Sequence, residues 1–259
     1  MGASVICLVD MEHDEGTRRH VSTSDAGTGR TSARRPYVQD ICRRLEAISH
    51  TECVTRRYTN ITRKWLDVAA IDALVLSGNV TEWDQYDEAD LQPLTEIVRS
   101  ASLPILGLCG GLQFIAMAHG AGVGPIRELA NGEEDAHGGL GSGFFKEWGF
   151  KPVKVVGSDP LFDGLADPVF LQAHYWEVKS VPDRFELLAS TEVCPVQALR
   201  RTGSLVYGTQ FHPEGYIAEP ADRDSWLVQL VYPSGYAKEQ PDGRRLLANF
   251  FRTAGILSQ

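Results

Sequence analysis

The chain has 259 residues, 43% of them hydrophobic, and a formal net charge of −9. That length can bury one sizeable core. The acidic balance excludes a protein that grips nucleic-acid phosphates through a basic face, and no apolar run approaches the length of a membrane span.

Strand and helix patterns alternate from the start, which predicts an α/β sheet flanked by helices. Residues 5–9 read as the first strand, too short and too soon followed by Asp10 to be a leader peptide. Residues 11–35 break the periodicity with Ser, Thr, Gly and Arg and read as a long insertion. Pro36 fits the first position of a helix running to Ile48. Strands follow at 53–58 and 72–76, the latter stopping at Ser77-Gly78-Asn79. Residues 90–100 place Leu91, Leu94, Ile97 and Val98 at helical spacing. A buried strand at 104–108 runs into a helix at 112–119. The second half is β-rich, with strands at 151–156 and 169–173 and a meander over 186–189, 196–200 and 205–210. Residues 215–240, punctuated by Pro220 and Pro233, read as a second insertion before a closing helix at 243–253. No internal repeat or linker divides the chain, so residues 1–259 are expected to form a single domain.

The chemistry concentrates at Leu108-Cys109-Gly110-Gly111 and at Phe211-His212-Pro213-Glu214. Cys109 falls on a predicted strand-to-helix turn. Gly107 and Gly111 would relieve crowding there. The helix N-terminus offers free N–H groups and a dipole that favour a sulfur anion and could stabilise an oxyanion. His212 could exchange the thiol proton, and Glu214 could hold the imidazole in the right tautomer. Two residues apart on an extended segment, both side chains would point the same way. The other cysteines, Cys7, Cys42, Cys53 and Cys194, make an odd total without close pairing. They read as reduced packing thiols in a cytoplasmic protein. No Cys or His pair has ligand spacing in a loop, so no metal is expected.

These motifs resemble the class I glutamine amidotransferases, whose triad is Cys, His and Glu. Gly107-x-Cys109-x-Gly111-x-Gln113 is similar to that family's nucleophile elbow, and Gly208-x-Gln210-Phe211-His212-Pro213-Glu214 to its His/Glu segment. The stretch 146–153, the Asp159-Pro160-Leu161-Phe162 segment and His174 are similar to the amidotransferase portion of GMP synthases and their stand-alone relatives. The resemblance implies a flavodoxin-like open, mostly parallel sheet with a β-rich side layer. It implies glutamine or another γ-glutamyl compound as substrate, a γ-glutamyl thioester on Cys109 and no cofactor. By position, the N–H groups of Gly78 and Gly110 would form the oxyanion hole. Gln113 would help hold glutamine, and backbone at Gly149 and Phe150 would meet its amino-acid end.

The chain departs from the family at four places. Asn79 stands where a second glycine is frequent, and Gly110 where larger residues are usual. His174-Tyr175-Trp176-Glu177 replaces the His-x-Asp pattern, with Tyr175 and Trp176 read as core or rim aromatics. The insertions would flank the ligand-binding strand ends as a lid, a docking surface or plain surface loops. No Gly-x-x-x-x-Gly-Lys-Ser/Thr loop occurs, so an ammonia acceptor site would belong to a partner synthetase or acceptor-domain protein. The alternatives are a stand-alone γ-glutamyl hydrolase, a γ-glutamyl or acyl transferase with the same triad, and a non-catalytic regulatory subunit.

Overall fold

The computed structural model describes residues 4–13, 34–135, 139 and 141–258. Most of the first expected insertion, residues 14–33, lies outside the described residues.

Strand β1 (Val5–Asp10) leads to helix α1 (Arg34–Ser49), strand β2 (Glu52–Arg57) and the short helix α2 (Arg63–Val68). Strand β3 (Ala73–Leu76), helix α3 (Glu88–Ser100), strand β4 (Ile105–Leu108) and helix α4 (Gly110–Ala118) complete the first half. Then come β5 (Val123–Pro125), β6 (Glu147–Pro152), β7 (Lys154–Val155), β8 (Val169–His174), β9 (Trp176–Val178), β10 (Phe185–Ser190), β11 (Ala198–Arg201) and β12 (Val206–Thr209). Helices α5 (Trp226–Val231) and α6 (Asp242–Thr253) follow.

The main sheet has eight strands in the order β2-β1-β3-β4-β12-β11-β10-β7. Pairing is parallel from β2 through to β12 and antiparallel beyond it. Two antiparallel pairs, β5 with β9 and β6 with β8, form the side layer. The fold is the expected open α/β sheet. Its central strands are apolar throughout because both faces are covered. Ile6 and Leu8 of β1 join an apolar cluster with Ile41 and Leu45 of α1 and Phe250 and Phe251 of α6. Cys7 and Val9 point into the other cluster, with Leu94 and Val98 of α3 and Leu112 and Ile115 of α4. The period of two along the strand separates these sets.

Three details differ from the sequence expectation. Helix α1 starts two residues before Pro36, which a first turn tolerates because its N–H groups have no partner inside the helix. The strand expected over 151–156 is split. Pro152 ends the ladder of β6 with β8, and β7 pairs instead with β10. The stretch 215–240 is built into the core: Leu227, Val228 and Val231 of α5 are buried in the same cluster as Phe250. Ser225 starts that helix by accepting the Val228 N–H at 3.2 Å.

The order β2-β1-β3 reverses direction at β1, and the carboxyl ends of β1, β3, β4 and β12 open onto one crevice. That is where ligands bind in open α/β sheets.

Candidate active site

Cys109 sits between β4 and α4 with φ 50° and ψ −103°, a backbone state that L-residues rarely adopt. Its neighbours make the bend possible by having no side chains. A Cβ built on Gly107 would fall 2.4 Å from the carbonyl carbon of Gly111, and one on Gly111 would fall 2.4 Å from the Leu76 oxygen. The Cys109 N–H donates to the Thr209 carbonyl at 2.7 Å, which fixes the elbow to the end of β12. Cys109 is 6% exposed and opens into a cleft.

His212 and Glu214 follow β12. The sequence suggested an extended segment, but the strand ends at Thr209 and residues Pro213–Gly215 form a single 3-10 turn. The pair meets all the same: His212 Nδ1 is 2.7 Å from Glu214 Oε1. The His212 N–H is anchored to the Leu171 carbonyl at 2.8 Å. Gly78 lies between the imidazole and the elbow. A Cβ there would be 3.3 Å from His212 Cε1 and 3.5 Å from Cys109 Cβ. Burial by itself drives the imidazole toward neutrality, but the Glu214 carboxylate and the Cys109 sulfur outweigh it and lift the His212 pKa to about 10.

A chain of carboxamides reaches the sulfur from its other side. Gln210 Nε2 lies 3.4 Å from Cys109 Sγ. Gln113 Nε2 donates to Gln210 Oε1 at 3.2 Å and to the Trp176 carbonyl at 3.1 Å. Gln113 Oε1 accepts the Trp83 indole N–H at 2.8 Å. An indole nitrogen only donates and a carbonyl only accepts, so these two groups fix which way each carboxamide faces. The end result is an N–H directed at the sulfur. Gln113, expected as a glutamine contact, lines the cleft but has its side chain engaged in this chain. Gln210 lies within the His/Glu motif, yet sequence reading gave it no role.

The loop after β3 is held in place before any substrate arrives. Ser77 Oγ takes the Met11 N–H at 3.1 Å and donates to the Gly78 carbonyl at 2.9 Å. The buried Glu12 carboxylate accepts the Val80 N–H at 2.8 Å, the Thr81 N–H at 3.3 Å and the Thr81 hydroxyl at 2.6 Å. Asn79 Nδ2 donates to the Thr81 carbonyl at 2.7 Å. Gly110 opens α4, where no carbonyl within the helix can accept its N–H. Gly78 and Gly110 thus flank Cys109.

The cleft is open to solvent and is walled by Trp83, Trp148, Tyr175 and Trp176 beside Cys109. Tyr175 and Trp176 are therefore cleft aromatics, a role their sequence context did not reveal. Glu82 lines the same wall, and so does Lys146, whose ammonium is paired with Asp135. Gly149 and Phe150 are not part of the lining. The Phe150 N–H donates to Tyr232 Oη at 2.7 Å, and Tyr232 and Tyr236 pack on the Phe150 ring at 5.7 and 4.9 Å. Residues from the second expected insertion cover that backbone.

One buried trio of ligand types stands apart from the triad. Ligand atoms of Glu147, His174 and Cys194 lie within 4.8 Å of one another. Spacing in the sequence hid the trio, because its members come from different strands and a loop.

A sequence profile of the family described as Glutamine amidotransferase class-I matches residues 34–224. The chain belongs to this family. Among similar class I relatives, a glutamine-hydrolysing GMP synthase component of Methanobrevibacter smithii is 36% identical over 120 residues, 46% of this chain and 54% of that one. The like-named protein of Thermoplasma acidophilum is 33% identical over 150 residues, 57% of this chain and 66% of that one. The chain thus spans about half to two thirds of the length of these two relatives. A solved structure from Thermoplasma acidophilum, described as a GMP synthase component, superposes with a TM-score of 0.62 at 23% identity, covering 98% of this chain and 96% of that one. A glutamine amidotransferase from Thermotoga maritima gives 0.61 at 18% identity, covering 98% and 99%. Both likenesses concern the fold of this class I family.

Proposed function

We propose that this protein hydrolyses the side-chain amide of glutamine through a γ-glutamyl thioester on Cys109 and supplies the ammonia to a partner synthetase. The observation that carries the reading is the strained Cys109 elbow, with an N–H directed at its sulfur and the His212–Glu214 pair across Gly78. In this reading the sulfur attacks the carboxamide carbon, and the N–H groups of Gly78 and Gly110 take the charge that develops on oxygen. The C–N bond breaks, and protonated His212 gives its proton to the departing ammonia. Neutral His212 then removes a proton from water, which attacks the thioester and releases glutamate. Glu214 holds the ring throughout. Glu82 suits the ammonium at the amino-acid end of the substrate.

Relatives whose names include glutamine hydrolysis support the donor reaction. A partner is supported by a broad groove that shares Lys146 and Trp148 with the cleft and continues past Lys151 and Lys154. The chain would act as one amidotransferase unit in a reducing cytoplasm, in keeping with its five free cysteines. No helix among the described residues is long and apolar enough to cross a membrane. Ammonia release from L-glutamine by purified protein tests the proposal. Cys109→Ala should abolish turnover, and full turnover in that variant would refute it.

A second reading draws on the four aromatic side chains at the cleft. They would favour a γ-glutamyl amide whose nitrogen carries an apolar group, making the protein a stand-alone γ-glutamyl hydrolase or transferase. Faster partner-free turnover of such amides than of glutamine would select it.

A further inference from the structure

His174 and Glu147 form a buried titratable pair outside the triad. They are 4% and 5% exposed and sit opposite each other on the β8–β6 ladder. His174 Nε2 lies 3.0 Å from Glu147 Oε2, and its Nδ1 lies 3.0 Å from the Trp176 carbonyl. The carbonyl can only accept, so Nδ1 carries a hydrogen. Glu147 Oε2 also accepts from Gln197 Nε2 at 2.6 Å, and Gln197 Nε2 reaches Thr191 Oγ1 at 3.3 Å. Cys194 and Glu177 stand on the far side of the pair, with Lys179 bonded to Glu177 at 2.8 Å.

The Trp176 carbonyl is shared. It takes the His174 Nδ1–H and the Gln113 Nε2–H together, and Gln113 in turn holds Gln210 against the sulfur. We propose that His174, oriented by Glu147, is a positioning residue for the nucleophile: it fixes the Trp176 carbonyl and, through Gln113 and Gln210, keeps an N–H on Cys109. Four hydrogen bonds join His174 Nδ1 to the sulfur, every one between groups whose direction is set. Without the ring's N–H, the Trp176 carbonyl loses one of the two donors that hold it, its grip on Gln113 loosens, and Gln210 can present its oxygen to the sulfur instead. The inference rests on Cys109 being the reactive thiol of the proposed function.

The test measures two quantities on the full chain: kcat and KM for glutamine, and the rate at which iodoacetamide alkylates Cys109, located by mass spectrometry. The second needs no glutamine, so a protein inactive on glutamine refutes the proposed reaction without touching this inference. His174→Phe should lower kcat and the alkylation rate by about tenfold each, the scale of one hydrogen bond, with KM little changed. Glu147→Leu should do the same by releasing the ring. Trp83→Phe removes the other group that orients Gln113, and it serves as the second route should the His174 variant not fold. It too should slow alkylation. Wild-type alkylation rates in folded His174→Phe or Trp83→Phe would overturn the proposal. One equivalent of zinc bound to the purified protein and lost in His174→Phe would also overturn it, assigning the pair to a metal site with Cys194.

Discussion

Asn79 Oδ1 occupies the space directly over Gly110: a Cβ built on Gly110 would fall 1.7 Å from it and 3.0 Å from the Asn79 backbone nitrogen. The two departures from the family pattern are thus one exchange. A side chain added on the loop is accommodated by a side chain removed from the elbow. The exchange predicts strong coupling. Gly110→Ala should lower kcat/KM by about tenfold, because the Asn79 side chain, bonded to the Thr81 carbonyl beside Gly78, must give way. Asn79→Gly in the same chain should recover part of the loss. Steady-state kinetics on the two single variants and the double variant measure the coupling, and strictly additive effects would refute it.

The Glu12 carboxylate holds the same loop through Val80 and Thr81. Glu12→Ala strands buried N–H groups, a loss of about 1–3 kcal/mol. Chemical denaturation should register that loss. A fall in kcat beyond what unfolded protein explains would show that the loop's placement matters for turnover.

The His212 imidazole predicts a pH dependence of stability. Burial alone favours its neutral form, and Glu214 and Cys109 reverse that, raising its pKa from 6.5 to about 10 in the folded chain. A raised pKa means the folded state binds the proton more tightly. The resulting stability is complete below about pH 6.5 and disappears as pH rises through about 10. Glu214→Gln removes a principal cause. The stability gap between wild type and this variant, from urea unfolding, should be widest below pH 6.5 and shrink toward pH 10. A gap that widened with pH would contradict the assignment.

Tyr232 separates two uses of the Phe150 backbone. Its hydroxyl accepts that N–H. Tyr232→Phe should cost about 1 kcal/mol of stability and leave KM for glutamine unchanged. A lowered KM would mean that the freed N–H meets substrate.

Local chemistry was legible in the sequence. The elbow needs glycines within two residues of Cys109, and Glu214 reaches His212 across one proline, so adjacency exposed both. The supports are remote. Glu12 lies 68 residues from Val80. Trp83 lies 30 residues from Gln113. No spacing rule links such pairs; the parallel crossovers of the sheet bring them together. The aromatic cleft was hidden for a related reason. Tyr175 and Trp176 border the β8–β9 junction, and only the packing of that side layer over Cys109 turns them toward the crevice.

Helix α5 bears on attempts at a minimal version of this protein. The residues around it look dispensable when read as an insertion, yet Leu227, Val228 and Val231 fill volume beside Phe250. Trimming them would leave a void lined by apolar groups. A shortened design would have to refill that hollow with larger side chains from α1 and α6 before its catalytic properties could be compared with those of the parent.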